Sequence, residues 1–298
     1  MVLALHFAAL SLPTMLVSGP AGVRTDRVGC ERVLIQAQWA LLGAGLLAAL
    51  AIPMLEGQTQ VLMLLTSTLL AGVAGAYELT ARNKYCALLV DDTRQLAPYL
   101  TSFSVVFNVG KLVGPLLGGW LVTLTGPAQA LTLDAATYLL PIASVIWLLK
   151  PRLELEQRST PGKTASLSVA WRDCGSTLRN VLMFTALMCV VGFFHPGLGP
   201  LIAARELGTA PMDLALFTSV LALGSIAGGI VLQRNSHRFC SKPSLTLAGF
   251  GLITALAQLG MARGGSTIFV LAMTLLIGAG TAGLLSSSNL ITQVGAPQ

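Results

Sequence analysis

The chain has 298 residues, of which 54% are hydrophobic and only 10% charged, with a mean hydropathy of +0.76 and a formal charge of +6. A soluble domain carries about 25% charged residues, so a water-soluble globule is excluded. A transmembrane β-barrel alternates apolar and polar residues in segments of about 10, whereas the apolar runs here are continuous and about twice as long; the expected class is an all-α polytopic membrane protein.

In chain order, nine runs are long enough to cross the hydrocarbon, which takes roughly 20 apolar residues. They cover 1–23, 33–55, 60–81, 97–124, 128–149, 181–203, 210–232, 244–262 and 267–289. Pro13, Pro115, Pro141, Pro196 and Pro200 fall inside them, which packed membrane helices tolerate. The apolar start lacks the basic leader of a signal peptide.

Between the first two runs lies Gly22–Leu34, G-V-R-T-D-R-V-G-C-E-R-V-L, which reads as a short, charge-dense hinge loop. It opens the count that sets orientation, because cytoplasmic loops collect Lys and Arg. Arg24, Arg27 and Arg32 follow the first run, and Arg82, Lys84 and Arg94 the third. Lys150, Arg152, Arg158, Lys163, Arg172 and Arg179 lie in the central linker, and Arg234, Arg238 and Lys242 follow the seventh run. These fifteen share one side, against Arg205 and Arg263 on the other, with Lys111 inside a run. The basic loops are therefore expected in the cytoplasm, with Met1 outside and Gln298 inside. The positive charge is explained by this sidedness and calls for no nucleic-acid partner. Cys30, Cys86, Cys174, Cys189 and Cys240 show no C-x-x-C or metal-ligand spacing and read as free thiols, four of them in or near loops on the reducing side.

The linker at 150–180 separates 1–149, with five runs, from 181–298, with four. The two parts read as repeats. Gly229-I-V-L-Q-R lies 207 positions after Gly22-V-R-T-D-R, and Thr274-L-L-I-G-A-G lies 206 after Thr68-L-L-A-G-V-A, with Gly72 matching Gly278 and Asn83 matching Asn289. Two matches at nearly one offset point to a duplicated helical unit, a feature of secondary transporters. Completing both copies would take one helix before the first run and two after the last, so nine of twelve helices are expected here.

Gly22, Asp26, Arg27, Gly29 and Arg32, in G-x-x-x-D-R-x-G-x-x-R, resemble the loop signature of the major facilitator superfamily. S-L-P-T-M-L-V-S-G-P-A-G, N-V-G-K-L-V-G-P-L-L-G-G at 108–119, L-D-A-A-T-Y-L at 133–139 and the closing S-N-L-I-T-Q-V-G-A-P-Q are similar to the branch of that superfamily that includes enterobactin exporters and transmembrane secretion effectors. The resemblance spans the whole chain. It implies two pseudo-repeated bundles working by alternating access, export of a small drug- or siderophore-like compound by proton antiport, and a place in the inner membrane. It also implies a gating role for the signature residues, with Asp26 holding helix ends together. Cys30 and Glu31 depart from the basic residues usual after the second glycine, and Gln233 replaces the acid in the second copy.

No HExxH, P-loop or nucleophile elbow appears, so neither an enzyme nor a cofactor is expected. The residues that could carry chemistry are the intramembrane charges, which cost several kcal/mol unless paired or facing a cavity. Lys111 reads as a substrate- or proton-coupling charge, or as a partner of Asp134 that joins two helices. Glu78 reads as a proton relay or as an i,i+4 partner of Arg82. His6 and His195 read as hydrogen-bonded structural residues or proton carriers. Gly114, Pro115, Gly118 and Gly119 have the small-residue spacing of close helix packing and resemble the family's antiporter signature. The expected partners are a small molecule, protons and the lipid bilayer. A truncated, non-transporting fragment and a lipid flippase remain as alternatives.

Overall fold

The structure, a computed structural model, describes residues 2–88, 93–148, 175–192, 195–234 and 243–295. All the regular structure in these residues is helical: α1 Val2–Val28, α2 Cys30–Met54, α3 Gly57–Leu88, α4 Thr93–Thr125, α5 Pro127–Thr137, α6 Leu139–Ala143, a π-helical turn Ser144–Leu148, α7 Ser176–Gly192, α8 His195–Glu206, α9 Pro211–Arg234, α10 Pro243–Ala262 and α11 Thr267–Gly295. Helices are the natural solution for these apolar runs, because lipid offers backbone N–H and C=O groups no partner outside the segment itself. Among the described residues six stretches are long and apolar enough to span a bilayer: Cys30–Met54, Gly57–Tyr85, Pro127–Trp147, Pro211–Leu232, Ser244–Ala262 and Thr267–Ser288. The helices follow the nine expected runs, with α5, α6 and the π turn forming one span and α7 with α8 another. At the small offset the Tyr138 N–H donates to the Ala135 carbonyl at 3.1 Å, and Pro141, which has no N–H, removes the next rung, to the Thr137 carbonyl.

The expected hinge loop is a correction. Helix α1 continues through Arg24, Asp26 and Arg27 to Val28, and α2 begins at Cys30, so Gly29 alone separates them. At φ 97°, ψ 139°, Gly29 adopts a left-handed backbone that side-chain-bearing residues avoid. The charges stay helical because a helix ending in water keeps its internal bonds; 27 residues at 1.5 Å each reach about 40 Å, beyond the roughly 30 Å hydrocarbon layer.

The chain divides into two compact units, Met1–Ser102 with Leu121–Lys163, and Phe103–Trp120 with Thr164–Gln298. Helix α4 contributes to both. In the first unit α3 packs along α1 and α2, and α2 along α5. The crossings are tight. A methyl group on Gly72 would meet the Leu10 and Ala9 carbonyls of α1, and one on Gly45 would sit 2.9 Å from Ala135 Cβ. Cys30, Val33, Leu34, Ala81, Tyr85 and Val145 form a buried cluster.

The second unit repeats the scheme, with α11 packed along α9 and α10. Methyl groups on Gly224 and Gly228 would collide with the Leu275 and Ala279 carbonyls, and one on Gly278 with that of Leu221. Helices α7 and α8 cover this trio. Val181 joins Leu232, Leu247, Phe250 and Leu284, while Ala203 joins Phe217, Ala257, Met261 and Ile277. The α4 segment is fastened to α9 where Ser219 Oγ donates to the Leu112 carbonyl at 2.8 Å and Gly119 abuts Pro211 and Ala215.

Two predictions follow from these crossings. Gly228→Leu is expected to cost at least 1–3 kcal/mol through overpacking, whereas Gly229→Leu, with open space around it, is expected to leave the melting temperature of detergent-purified protein nearly unchanged. Gly29→Ala is expected to lower stability by about 1–2 kcal/mol because of its positive φ. Gly22→Ala, helical and uncrowded, should instead raise it by about 0.5–1 kcal/mol.

Candidate functional site

The signature residues gather where α1 ends. Asp26 accepts a hydrogen bond from Lys84 Nζ at 2.9 Å, joining the ends of α1 and α3. Asp26 is half-exposed, so this ion pair holds helix ends without a large energetic return. Arg27 and Arg32 are exposed, and Gly22 meets nothing close. The more engaged basic residue is Arg24, whose Nη2 donates to Gln36 Oε1 at 3.1 Å and whose guanidinium lies 5.8 Å from the centre of the Tyr77 ring. Arg24, Gln36 and Tyr77 close one end of a largely apolar cavity of about 410 Å³ between α1, α2 and α3. Nothing in the signature's spacing singles out Arg24, because its partners sit 12 and 53 positions away.

Glu78 pairs with Arg82 one turn on, Arg82 Nη1 to Glu78 Oε1 at 3.3 Å. That is the i,i+4 arrangement its spacing permits. His6 Nδ1 lies 3.0 Å from Thr68 Oγ1, which ties α1 to α3. The side chain of His195 lies outside the described residues. So do those of Cys86, Cys174, Cys189 and Cys240, whereas Cys30 is a buried cysteine, outside any disulfide, at the start of α2.

Lys111 is exposed on the α4 segment that belongs to the second unit; Asp134 is on α5 in the first. Of the small-residue motif, Gly119 makes the close approach, Pro115 is half-buried, and Gly114 and Gly118 have no atoms near enough to need a glycine.

Asp134, itself exposed, lines an open cleft of about 310 Å³ beside α1, α2, α3 and α5. Its polar lining is Asp134, Tyr138, His6, Ser67 and Thr68, and its walls include Leu10, Leu41, Leu64 and Leu131. Sequence reasoning weighed Asp134 as a partner of Lys111 and His6 by itself, and did not bring the two together. The available signal was a row of small residues, Ala44, Gly45 and Ala48 on α2 with Ser67 and Ala71 on α3, which leaves room beside an intramembrane acid.

The transmembrane secretion effector family matches the chain over residues 1–298. No curated protein matches it. Among solved structures, a bacterial homologue of the iron transporter ferroportin, crystallised in its inward-facing state, is similar with a TM-score of 0.70 and 19% sequence identity; the match covers 100% of this chain and 76% of that one. At this identity the likeness concerns the fold, which is that of a major facilitator transporter. The chain is thus a multi-pass membrane transporter and belongs to the transmembrane secretion effector family of the major facilitator superfamily.

Proposed function

We propose that the protein exports a small organic compound, drug- or siderophore-like, across the inner membrane by proton antiport. The two bundles, 1–149 and 181–298 about the linker 150–180, would alternate access to a site near the midplane. The observation that carries this reading is the presence of ionisable residues within apolar helices of a transporter family: Lys111 on α4, Asp134 on α5 and Glu78 on α3. Each is costly in lipid unless it faces a cavity or a partner, and each offers a charge that a proton or a substrate can change. Asp134 faces a cavity. Glu78 has Arg82 as its partner, which favours a structural role for that acid. The basic loops are assigned to the cytoplasm, together with the linker and the C-terminus, by the asymmetry of Lys and Arg. The Asp26–Lys84 contact serves as a gate at the ends of α1 and α3, with Gly22, Arg27, Gly29 and Arg32 shaping its surroundings; of Gly114, Pro115, Gly118 and Gly119, it is Gly119 that supports a packing role, against α9.

In everted vesicles energised by a proton gradient, Lys111→Ala is expected to reduce substrate accumulation about tenfold, equivalent to about 1.4 kcal/mol, with membrane insertion intact. Unchanged accumulation would remove Lys111 from the site. For the gate, Asp26→Lys is expected to slow transport while lowering stability by less than about 1 kcal/mol. The swapped pair Asp26→Lys with Lys84→Asp should recover most of the rate, and a swap no faster than the single variant would show that the pair does not act as a gate.

A further inference from the structure

We propose that the span Pro127–Trp147 is hinged at Tyr138–Pro141, and that Gln38 of α2 is the polar group that meets the backbone carbonyl laid bare there. The inference concerns a movement inside the first unit and goes beyond the choice of substrate.

The hydrogen-bond ladder of this span changes pitch twice between Tyr138 and Leu148. The Tyr138 N–H donates only three residues back, to the Ala135 carbonyl at 3.1 Å, and from Ser144 to Leu148 the helix widens into a π turn. Pro141 lies between the two and has no N–H, so the Thr137 carbonyl loses its regular donor. Ser144 Oγ donates to the Leu140 carbonyl at 2.8 Å, a back-bond that itself bends helices. A tightened turn, a missing rung and a π turn in succession are the features at which a membrane helix bends.

The span is held to α2 on both sides of this interruption. Before it, Ala135 is buried against Gly45, where an added methyl would sit 2.9 Å from the Ala135 Cβ. After it, Val145 joins the buried cluster of Cys30, Val33 and Leu34. The two contacts run in opposite order along the chain, so the helices are antiparallel and their register is set. Two turns before Gly45 comes Gln38, and two turns after Ala135 comes the buried Ile142. Gln38 therefore lies at the level of the interrupted ladder.

Gln38 is 5% exposed, and its Oε1 is buried with no hydrogen-bond partner among the described residues. A buried polar atom without a partner is exceptional and calls for a cause. A carboxamide has donors as well as an acceptor, and half a turn about its last bond exchanges them. Gln38 can thus donate to the Thr137 carbonyl in one bend of the span and stand unpaired in the other. The duplicated scaffold does not require this amide, because the aligned residue of the second unit is Leu245, which is exposed. The Trp147 end leads into the linker at 150–180, so a bend at Tyr138–Pro141 lets that end move with the linker while Gly45 and Ala135 stay in contact.

The test is fluorine NMR of the full chain in nanodiscs, labelled with fluorotryptophan. Trp147 is 77% exposed near the end of the span, and Trp147→Phe assigns its signal. The signal should be split, or placed between two limits. Pro141→Ala, which restores the donor to Thr137, should bring it to one limit. Gln38→Leu should shift the populations toward that limit by about fivefold, the worth of one buried hydrogen bond. Pro53→Ala, in α2, should leave Trp147 unmoved. A Trp147 signal that Pro141→Ala does not move would overturn the hinge, and one that ignores Gln38→Leu would overturn the part given to Gln38. Should a variant fail to elute as a single species, amide exchange of the unmodified chain decides. Residues 138–148 should then exchange at least about tenfold faster than Pro127–Thr137, and equal rates would overturn the hinge.

Discussion

The constraint on which the structure depends is close backbone approach in a solvent that gives helices no hydrophobic reason to associate. Lipid tails are as apolar as leucine, so helix pairs in a bilayer are held by dispersion contact and by what small residues allow. In the second unit Gly224, Gly228 and Gly278 bring α9 and α11 together at the level of their carbonyls; in the first, Gly72 does the same for α3 against α1. Each unit therefore has one helix, α3 or α11, that touches two neighbours along its length. The polar residues of these central helices are buried in consequence. Thr68, Thr274 and Thr281 return their hydroxyl protons to carbonyls one turn back, the local bond that keeps a hydroxyl satisfied inside a helix.

That same constraint explains which features could be read from the sequence. The spans were legible because the bilayer fixes a minimum apolar length, and the repeat was legible because Gly72 and Gly278 occupy crossings that admit only glycine. Gly29 was legible as a break but misread in kind. Five charged residues within 13 positions looked like a loop, yet all five are helical and Gly29 alone breaks the helix, because a helix need not end where the membrane does. Charge density marks the exit from lipid; the positive φ of Gly29 marks the turn of the chain. The Asp134 cavity was not legible. It joins residues from His6 to Tyr138 across four helices, and no periodicity in one helix encodes a distance to another.

The two repeats share helix pairings but differ in how they fill the space around them. Phe217, Phe250, Ile277 and Leu284 pack into cores in the second unit, where the aligned positions of the first are Leu10, Gly43, Ala71 and Glu78. Substituting small for large side chains beneath a helix leaves cavities that cost stability in proportion to their volume. In the second unit these cores are completed by Val181 of α7 and Ala203 of α8.

Charge placement in the first unit narrows what that space can do. Two of its acids, on α1 and α3, each have a basic neighbour: Asp26 with Lys84 and Glu78 with Arg82. Such pairs satisfy their own charges and fix helix ends. Asp134 differs in that respect. It lies within the Pro127–Trp147 span, and among the described residues lining the cleft beside it there is an aromatic ring but no Lys or Arg. An acid in that position is electrostatically incomplete on its own. An acid within an apolar span carries its cost unless it meets water, a proton or a cation.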